Sequence, residues 1–154
     1  MNIECIFLGQ TCEGYLEKGI ADFQKRLERY CQVRIKVVKE RRGKMGDQAR
    51  IDIEGADLLD QIEPKSFVVV LDRTGRQISS EAFATLLQQW QEQNRKSACF
   101  VIGGALGLSQ EVVAAADMVL SLSMMTFTHE MARMILLEQI YRAYTILAGT
   151  KYHK

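Results

Sequence analysis

Apolar and polar positions in this chain switch repeatedly between two periods, and each switch marks a new element. Residues 3–8 form a short apolar run that stops at Gly9. Leu16, Ile20, Phe23 and Leu27 then recur at helical spacing, the signature of an amphipathic helix. From 33 to 38 the pattern becomes a strict alternation, with Val33, Ile35 and Val37 on one face and Arg34 and Lys36 on the other. That is a half-exposed strand. A weaker helical pattern covers 49–62. The β-branched run 67–71 lies between Pro64 and Asp72 and reads as a buried parallel strand. Ser79 or Ser80 can cap a helix carrying Phe83, Leu86, Leu87 and Trp90. Residues 99–102 form another buried strand, Ser109 can cap a short helix through Ala116, and 118–122 form the last strand. Thr128 can cap the long final helix, which ends at Gly149 as a C-terminal cap would.

Strands separated by helical segments imply a mostly parallel α/β sheet with helices on both faces. Such sheets bind ligands at the carboxyl ends of their strands. Three loops fall there: 71–75, 103–109 and 121–129.

Composition narrows the picture only modestly. The 154 residues suit one domain spanning 1–154. No apolar run is long enough to cross a membrane. The apolar start lacks a basic leader and runs into Gly9, so it reads as a strand and not as a secretion signal. Cys5, Cys12, Cys31 and Cys99 lack the spacing of a zinc or redox pair. They are expected to be reduced thiols of a cytoplasmic protein, with no metal site. The 20 basic and 19 acidic residues leave a net charge of +1, so any affinity for nucleic acid must come from local clustering. The stretch from Arg34 to Arg50, with Arg41, Arg42 and Lys44 at its centre, is the one such cluster. It suits phosphate contacts or a solvated loop equally well.

Four other segments carry candidate chemistry. VIGGALGLS places Gly103, Gly104 and Gly107 between a strand and a capped helix, where backbone can approach a ligand. Its spacing is not that of a dinucleotide fingerprint, and no acidic residue follows at the required distance. In LSLSMMTFTHEMAR, small residues precede Met124, Met125 and Phe127, which could line an adenosine pocket or simply fill core. The final helix is apolar on almost every face and so must be buried on more than one side. It predicts a homodimer interface, at positions such as Ile140 or Tyr144. Glu138 and Arg142 on it are spaced to form a pair. The two histidines of the chain, His129 and His153, stand at the start of that helix and in the tail beyond it.

Taken together, IFLG, VVVLD, IGGALGLS, LSMMTFTHEMARMILLEQIYRAY and the terminal KYHK closely resemble the pseudouridine N3-methyltransferases of large-subunit ribosomal RNA, minimal members of the SPOUT class. The resemblance spans essentially the whole chain. It implies a C-terminal trefoil knot, against the general rule that chains do not thread loops, a tight homodimer, and S-adenosylmethionine as methyl donor. The positions matching the cofactor site are Leu71, Gly103, Gly104 and the loop of Leu122, Ser123, Met124, Met125, Thr126 and Phe127. Those matching the substrate side are His129, Arg133, Glu138, Arg142, Tyr152 and His153. Family members commonly carry proline before the histidine, where Thr128 stands here. The resemblance implies ribosomal RNA or an assembled ribosome as substrate, and no membrane or metal partner. His129 or His153 could accept the N3 proton, or Arg133 could stabilise a developing oxyanion. The alternatives are a non-catalytic RNA-binding protein of the same fold and a flavodoxin-like nucleotide-binding domain.

Overall fold

The computed structural model describes residues 1–153. Its strands are β1 (Asn2–Leu8), β2 (Val33–Val38), β3 (Phe67–Arg76), β4 (Ser97–Ile102) and β5 (Met118–Leu120). The helices between and after them are α1 (Gly14–Leu27), α2 (Asp47–Asp60), α3 (Ser80–Glu92), α4 (Gln110–Ala114) and α5 (His129–Leu147), with a 3-10 turn at Lys151–His153. All strand pairs are parallel, in the order β2-β1-β4-β3-β5. The flavodoxin order has β3 and β4 exchanged relative to this, so that alternative is removed by topology.

Strand alternation sorts the core into two layers. Ile3, Cys5 and Phe7 face α1, α3 and α5, while Ile6 and Leu8 face α2 and α4. On the first face α5 packs against both α1 and α3, burying Leu136, Leu137, Ile140, Ala143 and Tyr144. On the second, Leu58 of α2 and Val112 of α4 cover Val68, Val70, Cys99 and Val101. Glu4 also points there, and its buried carboxylate pairs with Lys36 Nζ at 3.0 Å. Burial pushes the Cys99 thiol up to about 12 and the Cys5 thiol further still, so both are inert core residues.

Several sequence expectations change. Ile140 is fully buried and Tyr144 is 6% exposed inside the protomer. Both are covered by the α1–α5–α3 layer of their own protomer, so these two positions cannot report on a dimer. The third strand continues past Leu71 to Arg76, because Leu120 pairs first with Leu71 and then, after an irregularity, with Arg76. Gly75 is required at that crossing, since a Cβ there would sit 2.7 Å from the backbone carbons of Val119 and Leu120. The last strand stops at Leu120: Ser121 N still donates to Arg76 O at 3.0 Å, but its hydroxyl turns to Ser123 O. Val37 is 42% exposed at the far end of β2, an edge strand with a neighbour on one side only. Among the described residues no helix is long and apolar enough to cross a membrane.

Candidate active site

The carboxyl ends of β3, β4 and β5 converge on a cavity of about 770 Å³. Each wall has a local cause. After β4 the chain makes a tight turn in which Gly107 N donates to Gly104 O at 3.1 Å. Gly107 has φ +86°, a conformation that favours glycine. A Cβ on Gly103 would meet Gly107 O at 2.9 Å, so the turn closes only without one. Ser109 then caps α4 by accepting from Val112 N. After β5, Ser121 Oγ donates to Ser123 O and Met125 N donates to Ser123 Oγ, both at 3.0 Å, which shapes the second wall from its own hydroxyls. Thr128 caps α5 by accepting from Met131 N at 3.2 Å. That cap sets His129 and Ala132 against the opening. The third wall is Leu71, Asp72 and Arg73 at the end of the regular part of β3.

Leu71, Gly103, Gly104, Leu122, Ser123, Met125, Thr126 and Phe127 all line this cavity, as does His129. Met124 does not, and it is 89% exposed. The lining is mainly apolar, with hydroxyls, backbone amides, one imidazole, and Asp72 and Arg73 as its charged groups, a composition suited to a small organic ligand.

A model of the family described as predicted SPOUT methyltransferase matches residues 1–153. Ribosomal RNA large subunit methyltransferase H of Desulfotalea psychrophila is 43% identical, covering all of both chains, and the protein of that name from Syntrophotalea carbinolica is 45% identical over 99% of each. This chain belongs to the SPOUT methyltransferase family. Solved structures share the fold at low identity. A probable methylase family protein from Haemophilus influenzae superposes with a TM-score of 0.60 at 12% identity, covering 99% of this chain and 70% of that one. A probable methyltransferase from Bordetella pertussis gives 0.60 at 11%, covering 92% and 95%.

In this SPOUT protein the remaining candidates separate into three groups. Arg133 does not line the cavity and is fully buried. Its Nη1 donates to Thr11 Oγ1 at 2.9 Å and its Nη2 to Leu8 O at 2.6 Å, with the guanidinium 5.1 Å from the Phe7 ring centroid. Burial lowers its pKa from the ordinary value, opposed by Glu130 and Glu40, yet a guanidinium stays charged. Its Nε is buried without a partner among the described residues, so the guanidinium is committed to Leu8 and Thr11 through its two terminal nitrogens alone.

The second group is Glu138, Arg142, Tyr152 and His153, which form one cluster away from the cavity of the same protomer. Arg142 pairs with Glu138, and Tyr152 Oη donates to Glu138 Oε1 at 3.1 Å. His153 Nε2 lies 2.9 Å from Glu81 Oε1. The terminal Lys154 lies outside the described residues. The third group is the basic stretch. Arg41 is committed to Asp57 through two hydrogen bonds of 2.7 Å, whereas Arg42 and Lys44 are exposed with no ion pair among the described residues.

Three contributors were not singled out from the sequence. Arg73 is exposed at the cavity and has no ion pair among the described residues. The sequence marks its loop by position alone, and nothing local distinguishes Arg73 within it. Glu130 accepts from Cys12 N and Glu13 N at 3.0 Å, capping α1, whose own N-cap residue makes no side-chain cap bond. Glu81 meets His153 across 72 positions, and no local pattern encodes that contact. Among the described residues no group of three or more His, Cys, Asp or Glu is placed to hold a metal.

Proposed function

We propose that this protein transfers a methyl group from S-adenosylmethionine to N3 of a pseudouridine in large-subunit ribosomal RNA. The observation that carries the proposal is the cavity at the ends of β3, β4 and β5, with His129 at its edge. Its volume lies within the range of about 300–1,000 Å³ usual for small-ligand sites. The lining also suits the cofactor: apolar surface for an adenine ring, with backbone amides and hydroxyls for its polar edges. The name of the 43–45% identical relatives supports the RNA substrate, and the motif resemblance supports the pseudouridine target.

S-adenosylmethionine supplies the methyl group on a sulfonium. The other tasks fall to the chain. The Gly103-Gly104 turn and the loop from Leu122 to Phe127 hold the donor. The N3 proton must leave before or during attack, and His129 is the histidine at the cavity, so it is assigned as the acceptor. Transfer would need N3 held in line with the methyl group of the bound donor, and the cavity walls with His129 at their edge would supply that positioning. Arg42, Lys44 and Arg73 supply positive charge to the RNA backbone.

The tail residues Tyr152 and His153, with Glu138 and Arg142, are assigned to the substrate side of a partner subunit's cavity in a homodimer. This fits their absence from the lining of their own protomer's cavity. The chain acts as one domain in the cytoplasm, where ribosomes are found, and threads its C-terminal segment as a trefoil knot.

Calorimetric titration with S-adenosylmethionine tests the cavity assignment. Ala105→Trp places an indole on an exposed position of the wall. It should weaken binding at least tenfold while the circular dichroism spectrum is retained. Unchanged affinity in that variant would remove this cavity from the proposal.

A further inference from the structure

The tail is folded onto its own protomer. Gly149 adopts φ +66° and Thr150 N donates to Thr145 O at 3.0 Å, which turns the chain back after α5. The 3-10 turn that follows sets two side chains against the helical layer, and they are held unequally. Tyr152 has several partners. Its hydroxyl reaches Glu138, its ring meets Tyr141 edge-on at 4.8 Å, and the Arg142 guanidinium lies 4.9 Å from its centroid. Among the described residues His153 has a single polar partner, Glu81 of α3, and its Nδ1 is buried with none.

An imidazole with one polar contact takes its orientation from that contact. The Glu81 carboxyl is held down to about 2 by its own backbone amide, the Ser79 hydroxyl and His153. An ionised carboxylate only accepts hydrogen bonds. The proton therefore sits on His153 Nε2, and in the neutral ring Nδ1 keeps its lone pair. We propose that Glu81 is a positioning residue for methyl transfer, fixing the tautomer of His153 and the seat of the tail turn. This rests on the assignment of the tail to the substrate side of the site.

Glu81 is an exposed partner, and exposed pairs contribute little to stability. Loss of the contact should consequently act on turnover and leave folding intact. Glu81→Ala is expected to lower kcat at least tenfold, with cofactor affinity and oligomeric state unchanged and only a small fall in unfolding midpoint. Glu81→Gln keeps an acceptor oxygen and should recover most of that loss. Nitrogen-15 spectra of the labelled imidazole should show one Nε2–H tautomer in the parent and in Glu81→Gln, and a mixture in Glu81→Ala. Wild-type kcat with an unchanged spectrum in Glu81→Ala would overturn the inference, as would failure of Glu81→Gln to recover activity. A protein lacking residues 151–154 is assayed alongside. If it methylates fully, the tail assignment itself fails. If it is inactive while Glu81→Ala is fully active, only the role of Glu81 fails.

Discussion

The two ends of α5 each carry a histidine, but they are held by different physics. At the first turn, Thr128 caps the helix, Glu130 binds two backbone amides of the α1 entrance, and Arg133 is sunk fully into the core. At the far end, the chain reverses at Gly149 and seats Tyr152 and His153 through contacts that are only partly buried. The first end is built into the fold, so His129 inherits the rigidity of the sheet below it. The second is an attachment on the surface, held by a few polar contacts. In this protein, substitutions at the first end should cost stability and activity together. At the second they should cost activity alone.

The largest effect is expected at Arg133. Arg133→Ala removes two hydrogen bonds, strands the Leu8 carbonyl and leaves a cavity. The cost should be at least about 3 kcal/mol in urea denaturation, enough to impair folding. A variant as stable as the parent would place Arg133 outside the framework and return it to a direct catalytic role. Thr128→Ala should cost about 1 kcal/mol through the lost cap, and should lower turnover because the cap orients His129.

Glu130 gives a smaller, pH-dependent effect. The Glu13 and Cys12 amides hold its carboxyl below the usual value, against an opposing contribution from burial. A depressed carboxyl stabilises the fold above its unfolded pKa and loses that contribution as pH falls through the folded one. Glu130→Gln should therefore destabilise near neutrality and show a shallower decline of melting temperature on acidification. Equal acid slopes for parent and variant would exclude this contact as a source of stability. The smallest change in stability is expected from removing residues 151–154. The unfolding midpoint should hardly move while methylation is lost. A large fall in midpoint would make the tail a structural element like the first turn and erase the contrast.

What the sequence revealed follows the same division. The serine and threonine caps and Gly149 were legible because each depends on residues within a turn of itself. The strands were legible from their alternation or β-branched runs. The exchange of β3 and β4 in the sheet was not, because periodicity carries no information about neighbours. An all-round apolar α5 announced burial but not by what, and α1 and α3 turned out to account for Ile140 and Tyr144. The resemblance puts Arg133 on the substrate side, and nothing local in the sequence signals that it is buried. Its partners, Leu8 and Thr11, lie more than a hundred positions away. Most of the cavity lining was legible through the resemblance, since it comes from three short segments that follow β3, β4 and β5. Met124 was not, because adjacent residues in one loop can point to opposite sides.

The central claim is that this cavity delivers a methyl group to one RNA base. Its most direct test is to incubate the protein with isotopically methyl-labelled S-adenosylmethionine and large ribosomal subunits lacking the modification, then digest the RNA and identify the labelled nucleoside by mass spectrometry. The account predicts one methyl group per subunit, carried on N3 of a pseudouridine and absent when His129→Ala protein is used. Label on another atom or another base, or full transfer by His129→Ala, would contradict it.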